Sequence, residues 1–169
     1  MKKLLVILAV SLVISPALSG QENEILQLKE KIIDLQNEGE LGFKEVALCS
    51  KIFGFGSYVA LEKPVVDKDG EVLVYFEPAN VFTNRKNGLY EIWYKKDMVL
   101  MKEDGEVLEE WTDIVDFHYT AKRPVLDLFV RNNISLGGQV PPGKYQFKAV
   151  LKDQLSGKTA VKIIDFEIR

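Results

Sequence analysis

The sequence predicts an all-β domain, an antiparallel sandwich preceded by one amphipathic helix. Three observations predict it. Apolar residues recur with a period of two from Lys44 onward. Turn dipeptides rich in Gly, Asp and Asn fall between those runs. Ahead of them, Ile25, Leu28, Ile32 and Leu35 recur at spacings of three, four and three. Period two places alternate side chains on one buried face of a strand, and a three-four spacing places them on one face of a helix.

The chain opens on a cationic start, Met1-Lys2-Lys3, followed by an apolar run from Leu4 to Ile14 broken only by Ser11. Ala17 and Ser19 are small residues placed as a signal peptidase requires. This layout predicts a secretory signal peptide over residues 1–19, with an uncleaved anchor as the alternative. A run of about 11 apolar residues is short for a bilayer, which takes about 20. The expected location is therefore exported, periplasmic or extracellular, with no transmembrane segment after signal removal. Cys49, the sole cysteine, is far from Ser19, so no lipid acceptor stands at the cleavage site.

Residues 20–43 are expected to be an amphipathic helix and linker, with the helix over Glu22 to Glu38 and stopped by Gly39 and Gly42. Leu26 and Ile33 widen the apolar stripe, and the other face carries Glu, Gln, Lys and Asp. Three destinations for the stripe remain open. The helix docks on the sandwich, with Trp93 as a candidate cover site, or acts as a spacer. It self-associates through residues 22–38. Or it lies on a membrane surface, for which its polar face is insufficiently basic.

Residues 44–169 are expected to form the sandwich. Val72, Val74 and Phe76 alternate with Leu73 and Tyr75, and Tyr90, Ile92 and Tyr94 with Glu91, Trp93 and Lys95. Further runs are Val115-Phe117-Tyr119, Leu126-Leu128-Val130, Tyr145-Phe147-Ala149-Leu151 and Ile164-Phe166-Ile168. One buried face per strand is the antiparallel pattern. The adjacent Ile163-Ile164 predicts a bulge. Asp69-Gly70, Asn87-Gly88, Asp104-Gly105, Gly137-Gly138 and Ser156-Gly157 supply the turns. Gly54-Phe55-Gly56-Ser57 predicts a bend or bulge between two strands.

Pro141-Pro142-Gly143-Lys144-Tyr145 leads into the run Gln146 to Lys152, and a turn at Asp153 to Lys158 precedes the last strand. This stretch resembles the closing hairpin of immunoglobulin-like exported domains, with Tyr145 at the place of the tyrosine that pins the sandwich corner. Together with Cys49 to Tyr58 and Gly70 to Glu77, it makes residues 46–168 similar to an uncharacterised family of exported bacterial immunoglobulin-like β-sandwich proteins. The resemblance implies an antiparallel immunoglobulin-like β-sandwich and an exported life, and no activity.

Basic side chains number 22 and acidic ones 25, a formal charge of −3. Loss of Lys2 and Lys3 with the leader takes it to −5. An acidic chain without a basic patch lacks the electrostatic footprint of a nucleic-acid binder. Cys49 has no internal disulfide partner, so the fold must rest on its core. A buried small hydrophobe, an intermolecular disulfide and a reactive thiol are the three readings of that residue.

Chemistry-bearing constellations are sparse. His118 is the only histidine, with Asp116 on its strand face and Asp113 nearby. A metal site draws on clustered His, Cys, Asp or Glu ligands, and a serine triad needs a positioned serine that no Gly-x-Ser-x-Gly elbow offers here. Asp67-Lys-Asp-Gly-Glu71 lacks the distal ligands of a calcium loop. Asn133-Ile134-Ser135 matches a glycosylation sequon. No enzyme activity, metal or cofactor is therefore expected. Trp93 and Trp111 are the candidate partner or glycan contacts, because an exposed aromatic on a flat sheet stacks on sugars or anchors a protein.

The leading expectation is a non-catalytic binding or structural module of the cell envelope, its partner an unknown protein or glycan. A carbohydrate-binding module is the first alternative. The second is a proteinase-inhibitor-like domain, since Pro-Pro-Gly-Lys-Tyr resembles part of the bacterial intracellular proteinase-inhibitor domain.

Overall fold

The computed structural model describes residues 16–169 except Gly137 and Gln139. Most of the predicted leader, residues 1–15, lies outside the described residues. Residues 16–19 belong to the first turn of a helix, α1, which spans Pro16–Glu38. The helix is six residues longer at its start than the stripe alone predicts.

Ten strands follow. Strands β1 (Gly42–Gly54), β2 (Ser57–Ala60), β4 (Glu71–Ala79) and β8 (Val130–Ser135) form a four-stranded sheet in the order β2-β1-β4-β8. The second sheet contains β3 (Val65–Val66), β5 (Thr83–Lys86), β6 (Leu89–Lys102), β7 (Val107–Ala121), β9 (Gly143–Asp153) and β10 (Thr159–Ile168). Its order is β3-β10-β9-β6-β5, and β7 pairs with the other side of β6. All pairs are antiparallel except β3 with β10.

The sheets share one core. Val72, Val74, Phe76 and Ile134 of the first meet Met98, Leu100, Phe147, Phe166 and Ile168 of the second. Phe147 and Phe166 stack with ring centres 4.5 Å apart. Tyr145 lies beside them and donates a 2.7 Å hydrogen bond to the carbonyl of Pro141, so the phenol stays satisfied while its ring is buried. A second cluster, Leu41, Val81, Ile92, Tyr94 and Leu151, lies toward the helix end of the sheets.

The turns follow their sequences. Asn87 and Gly88 both have positive φ, 54° and 71°, the geometry a two-residue hairpin between twisted strands requires. Gly56, at φ 62°, closes the β1–β2 hairpin. The turn expected at Gly137-Gly138 lies in part outside the described residues.

Two strand expectations are corrected. The Leu126-Leu128-Val130 alternation does not make a strand before Val130, where β8 begins. Residues 122–129 carry the chain from one sheet to the other, so their side chains half-bury in alternation while their backbone has no ladder partner. Residues 130–135, including Asn133-Ile134-Ser135, form the strand instead. The bulge predicted at Ile163-Ile164 is absent, because β10 pairs with β9 in continuous register from Thr159 to Ile168. Val161 and Ile163 simply point outward and are exposed, while Ile164 and Phe166 point inward.

The helix docks on the sandwich through a side that includes Ile33, while Ile25, Leu28, Ile32 and Leu35 stay exposed. Ile33 is fully buried. Tyr90 donates to Glu30 at 2.6 Å, Arg85 pairs with Asp34, and Asn37 exchanges two bonds with the backbone of Thr83 at 2.8 and 3.0 Å. Residues 30, 33, 34 and 37 form one helix side that rests on β5 and the start of β6. At its C-terminal end, Lys158 donates to the carbonyl of Gly39 at 2.8 Å, satisfying an orphan acceptor where the helix dipole is negative. Gly39 touches the Asn80 side chain so closely that a Cβ there would stand 2.6 Å from it. Three residues, not a flexible linker, join helix and β1.

Candidate functional site

Trp93 lies on the outer face of the six-stranded sheet, opposite the buried Tyr90, Ile92 and Tyr94, as alternation predicts. It is half-buried there. His118, its cross-strand neighbour, stacks on the indole at 4.6 Å between ring centres. The indole N–H donates to Asp116 at 3.0 Å. A polar ladder runs along this face. Glu91 contacts His118 at 2.9 Å and accepts from Asn84 at 3.1 Å, which holds its carboxyl below the usual carboxylate range. Lys95 and Lys152 both bond to Asp113, lowering that carboxyl and raising both amines. Asp97 accepts from Lys152 and from the backbone of Asp113, whose φ of 51° marks the bulge in β7. These groups are partnered with one another, so the ladder resembles a sheet-stabilising charge lattice around a single tryptophan.

Trp111 is on the opposite face of the same sheet. It is half-buried and packs on the main core, 6.5 Å from the ring of Phe147. The two tryptophans are therefore not brought together, and Trp111 presents little ring to a ligand.

A second set of aromatics gathers where sequence reasoning did not look. The β1–β2 hairpin carries Phe53 and Phe55, which are 70% and 40% exposed. Beside them, Ile52, Phe53, Tyr94, Val115, Phe117, Phe129, Val130 and Arg131 line a groove of about 380 Å³. It opens between β7 and β8, the neighbouring edges of the two sheets. Rings continue from it in both directions. Phe117 stacks on Tyr94 at 5.1 Å and meets Tyr119 at 5.9 Å. Phe129 stacks on Tyr75 at 5.9 Å, and Tyr75 on Tyr58 at 4.2 Å. Arg131 is the one cation among the eight lining residues. The signal in the sequence was Gly54-Phe55-Gly56, a tight turn with aromatics at its tip, where nothing can bury them.

Below the outer end of this belt the rings rest on a polar pair. Tyr75 is fully buried, donates to Glu77 at 2.5 Å and accepts from the Gly56 backbone at 2.8 Å. Burial first, and the Glu77 bond second, push its phenol up to about 12. The pair fastens the hairpin turn to β4, so the exposed Phe53 and Phe55 are carried on a fixed base. Cys49 is buried, with its thiol pushed up by desolvation, which leaves it a packing residue rather than a reactive nucleophile.

Between the two cores sits Lys96, 1% exposed. Its amine bonds to Asn132 and lies 3.3 Å from the centre of the Phe76 ring. Desolvation pulls its pKa down to about 6, so the amine is neutral near pH 7. No carboxylate pairs with it among the described residues, yet no buried side-chain nitrogen or oxygen there lacks a hydrogen-bond partner.

A larger hollow of about 460 Å³ lies between β3 and the ends of β9 and β10. Its charges are largely spent on one another, Glu167 with Arg169 at 2.9 Å and Lys144 with Glu103 at 3.9 Å. Among the described residues, no three His, Cys, Asp or Glu side chains converge as a metal site. No helix there is long and apolar enough to cross a membrane. Comparison with protein-family models finds none that matches the chain, and comparison with curated proteins finds no match.

Proposed function

We propose that this chain is an exported, non-catalytic binding module of the cell envelope, and that it takes a protein partner through the aromatic groove between β7 and β8. The observation that carries the reading is Phe53. A phenylalanine that is 70% exposed on a braced hairpin, beside a groove walled by Phe117 and Phe129, is the arrangement of an interface anchor. Contiguous exposed apolar surface of this kind on a soluble domain marks an interaction site. Arg131 at the groove supplies one polar point for orientation.

An immunoglobulin-like topology fits this role. The strand orders β1-β4-β8 and β10-β9-β6 support it, since that fold orders A-B-E and G-F-C in the same way. The bond from Tyr145 back to Pro141 is the corner geometry expected of it. The chain departs from the pattern in having a single cysteine and, among the described residues, no separate strand D. Export rests on the sequence of residues 1–19.

Glycan binding at Trp93 is the second reading, supported by the indole on a flat, polar sheet face. Envelope-extract capture separates the two when run beside a glycan array. Double substitution of Phe53 and Phe129 to Ser abolishes partner capture, and Trp93→Ala leaves it intact. Glycan binding lost on Trp93→Ala and indifferent to the phenylalanines would overturn the groove assignment.

A further inference from the structure

The four stripe residues that predicted the helix are exposed apolar side chains: Ile25 at 54%, Leu28 at 57%, Ile32 at 42% and Leu35 at 63%. The docked side, Glu30, Ile33, Asp34 and Asn37, lies on the far side of the helix from them, and of the four stripe residues Ile25 also borders a hollow, beside Arg123 and Pro124. We propose that two copies of this chain pair in parallel through this outer face, as a short two-stranded coiled coil flanked by the two sandwiches.

In heptad terms Ile25 and Ile32 are at a, and Leu28 and Leu35 at d. β-Branched residues at a with leucine at d favour two parallel strands. The residues that bond to the sandwich, Glu30, Ile33, Asp34 and Asn37, fall at f, b, c and f. A coiled coil leaves those positions facing outward, so docking and pairing use separate sides of one helix.

The flanking charges decide direction. Glu24 and Lys31 are at g, and Lys29 and Gln36 at e. Parallel pairing sets each g residue against the e residue five positions on in the other chain, which brings Glu24 to Lys29 twice across the two-fold axis. Antiparallel pairing with Ile25 against Leu35 sets Lys29 against Lys29 and Lys31 against Lys31. Like charges facing across the seam oppose that arrangement. None of the ion pairs among the described residues uses Glu24, Lys29 or Lys31, so these charges are unspent within one chain.

Two heptads alone are a marginal coiled coil, because an isolated helix of this length is barely stable. Docking removes that obstacle. The sandwich already holds the helix folded, so association does not bear the cost of ordering it. The seam is still small, and the dimer dissociates on dilution.

The test uses the protein purified after expression of the full chain, with sedimentation equilibrium over about 1–100 µM. A monomer–dimer equilibrium is expected. Ile32→Glu weakens it about 100-fold or more, by burying a charge in the seam, without moving the thermal midpoint read at a concentration where the wild-type chain is monomeric. Glu24→Lys weakens it, Lys29→Glu weakens it, and the double swap restores it. Leu28→Cys forms a disulfide with its own copy under mild oxidation, with the wild-type chain controlling for Cys49. A monomer at the highest concentration overturns the proposal, as does a dimer indifferent to Ile32→Glu or a double swap that fails to rescue. A monomer that binds phosphatidylcholine–phosphatidylglycerol vesicles through Ile32 would assign the face to a membrane instead.

Discussion

Replacing Lys96 with methionine removes an amine from the core and keeps its volume. In the unfolded chain the amine titrates near 10.5, and in the fold burial lowers it to about 6. Between those values the unfolded state holds a proton that the folded state lacks, so stability rises with pH through that window. The native protein therefore gives up stability at neutral pH, fully so below about 6, and recovers it only as pH approaches 10.5. At pH 7 the gap of about 3.5 units corresponds to about 5 kcal/mol at 1.36 kcal/mol per unit. Methionine bears no such cost. It does remove the Lys96 donor from the Asn132 carbonyl, the one side-chain donor to it among the described residues, and an unsatisfied buried polar group costs about 1–3 kcal/mol. Lys96→Met is thus expected to be about 2–4 kcal/mol more stable than wild type at pH 7. Near pH 10.5 the order reverses, because only the orphaned asparagine remains. Urea denaturation of both proteins from pH 6.5 to 9 reads the difference directly, since every other titrating group cancels. The advantage of the variant should shrink by about 3 kcal/mol over that range. Parallel stability curves, or a variant less stable at pH 7, would refute a neutral Lys96.

Phe147→Ala removes a ring stacked at the centre of the main core and should cost about 3–5 kcal/mol in the same denaturation assay; an unchanged midpoint would mean that this face of β9 is not buried. Tyr145→Phe keeps the ring and loses the bond to Pro141, a loss of about 1 kcal/mol with no change of fold by circular dichroism. Asn37→Ala breaks both bonds to Thr83, and amide exchange in α1 should accelerate while the core strands stay protected. In a Trp111→Phe background, His118→Ala uncovers Trp93 and shifts its emission to the red, whereas deleting residues 16–38 leaves it unmoved because the helix sits over Tyr90, not Trp93.

Period-two alternation placed Tyr90 to Tyr94, Tyr145 to Leu151 and Ile164 to Ile168 on the correct faces, because each of those stretches buries one side more than the other, whereas in β4 Tyr75 and Glu77 are buried as well as Val72, Val74 and Phe76. Alternation failed at Leu126 to Val130, where a crossover segment buries alternate residues without a partner strand. Lys96 was invisible for a different reason. On a strand that reads Tyr-x-Lys-x-Met, a lysine looks like a break in the pattern, and only the Asn132 partner on a distant strand makes its burial tolerable. The helix stripe was read correctly as one face, with its destination left open among docking, pairing and a membrane surface, and of the widened stripe Ile33 is the residue that is fully buried. The docked side of the helix is held largely by Glu30, Asp34 and Asn37, and polar bonds of that kind leave no periodic apolar signal. The groove joins Phe53, Phe117 and Phe129 from three separated segments, and no local pattern connects them.

The groove assignment rests on Phe53 standing at an interface, and site-specific photo-crosslinking in cells that express the full chain tests it most directly. A benzophenone amino acid replaces Phe53 in one protein and Lys162, an exposed residue of β10, in another. The groove assignment predicts one discrete crosslinked species from position 53, lost when Phe129 is changed to Ser, and none from position 162. A discrete species from position 162 with none from position 53 would contradict it.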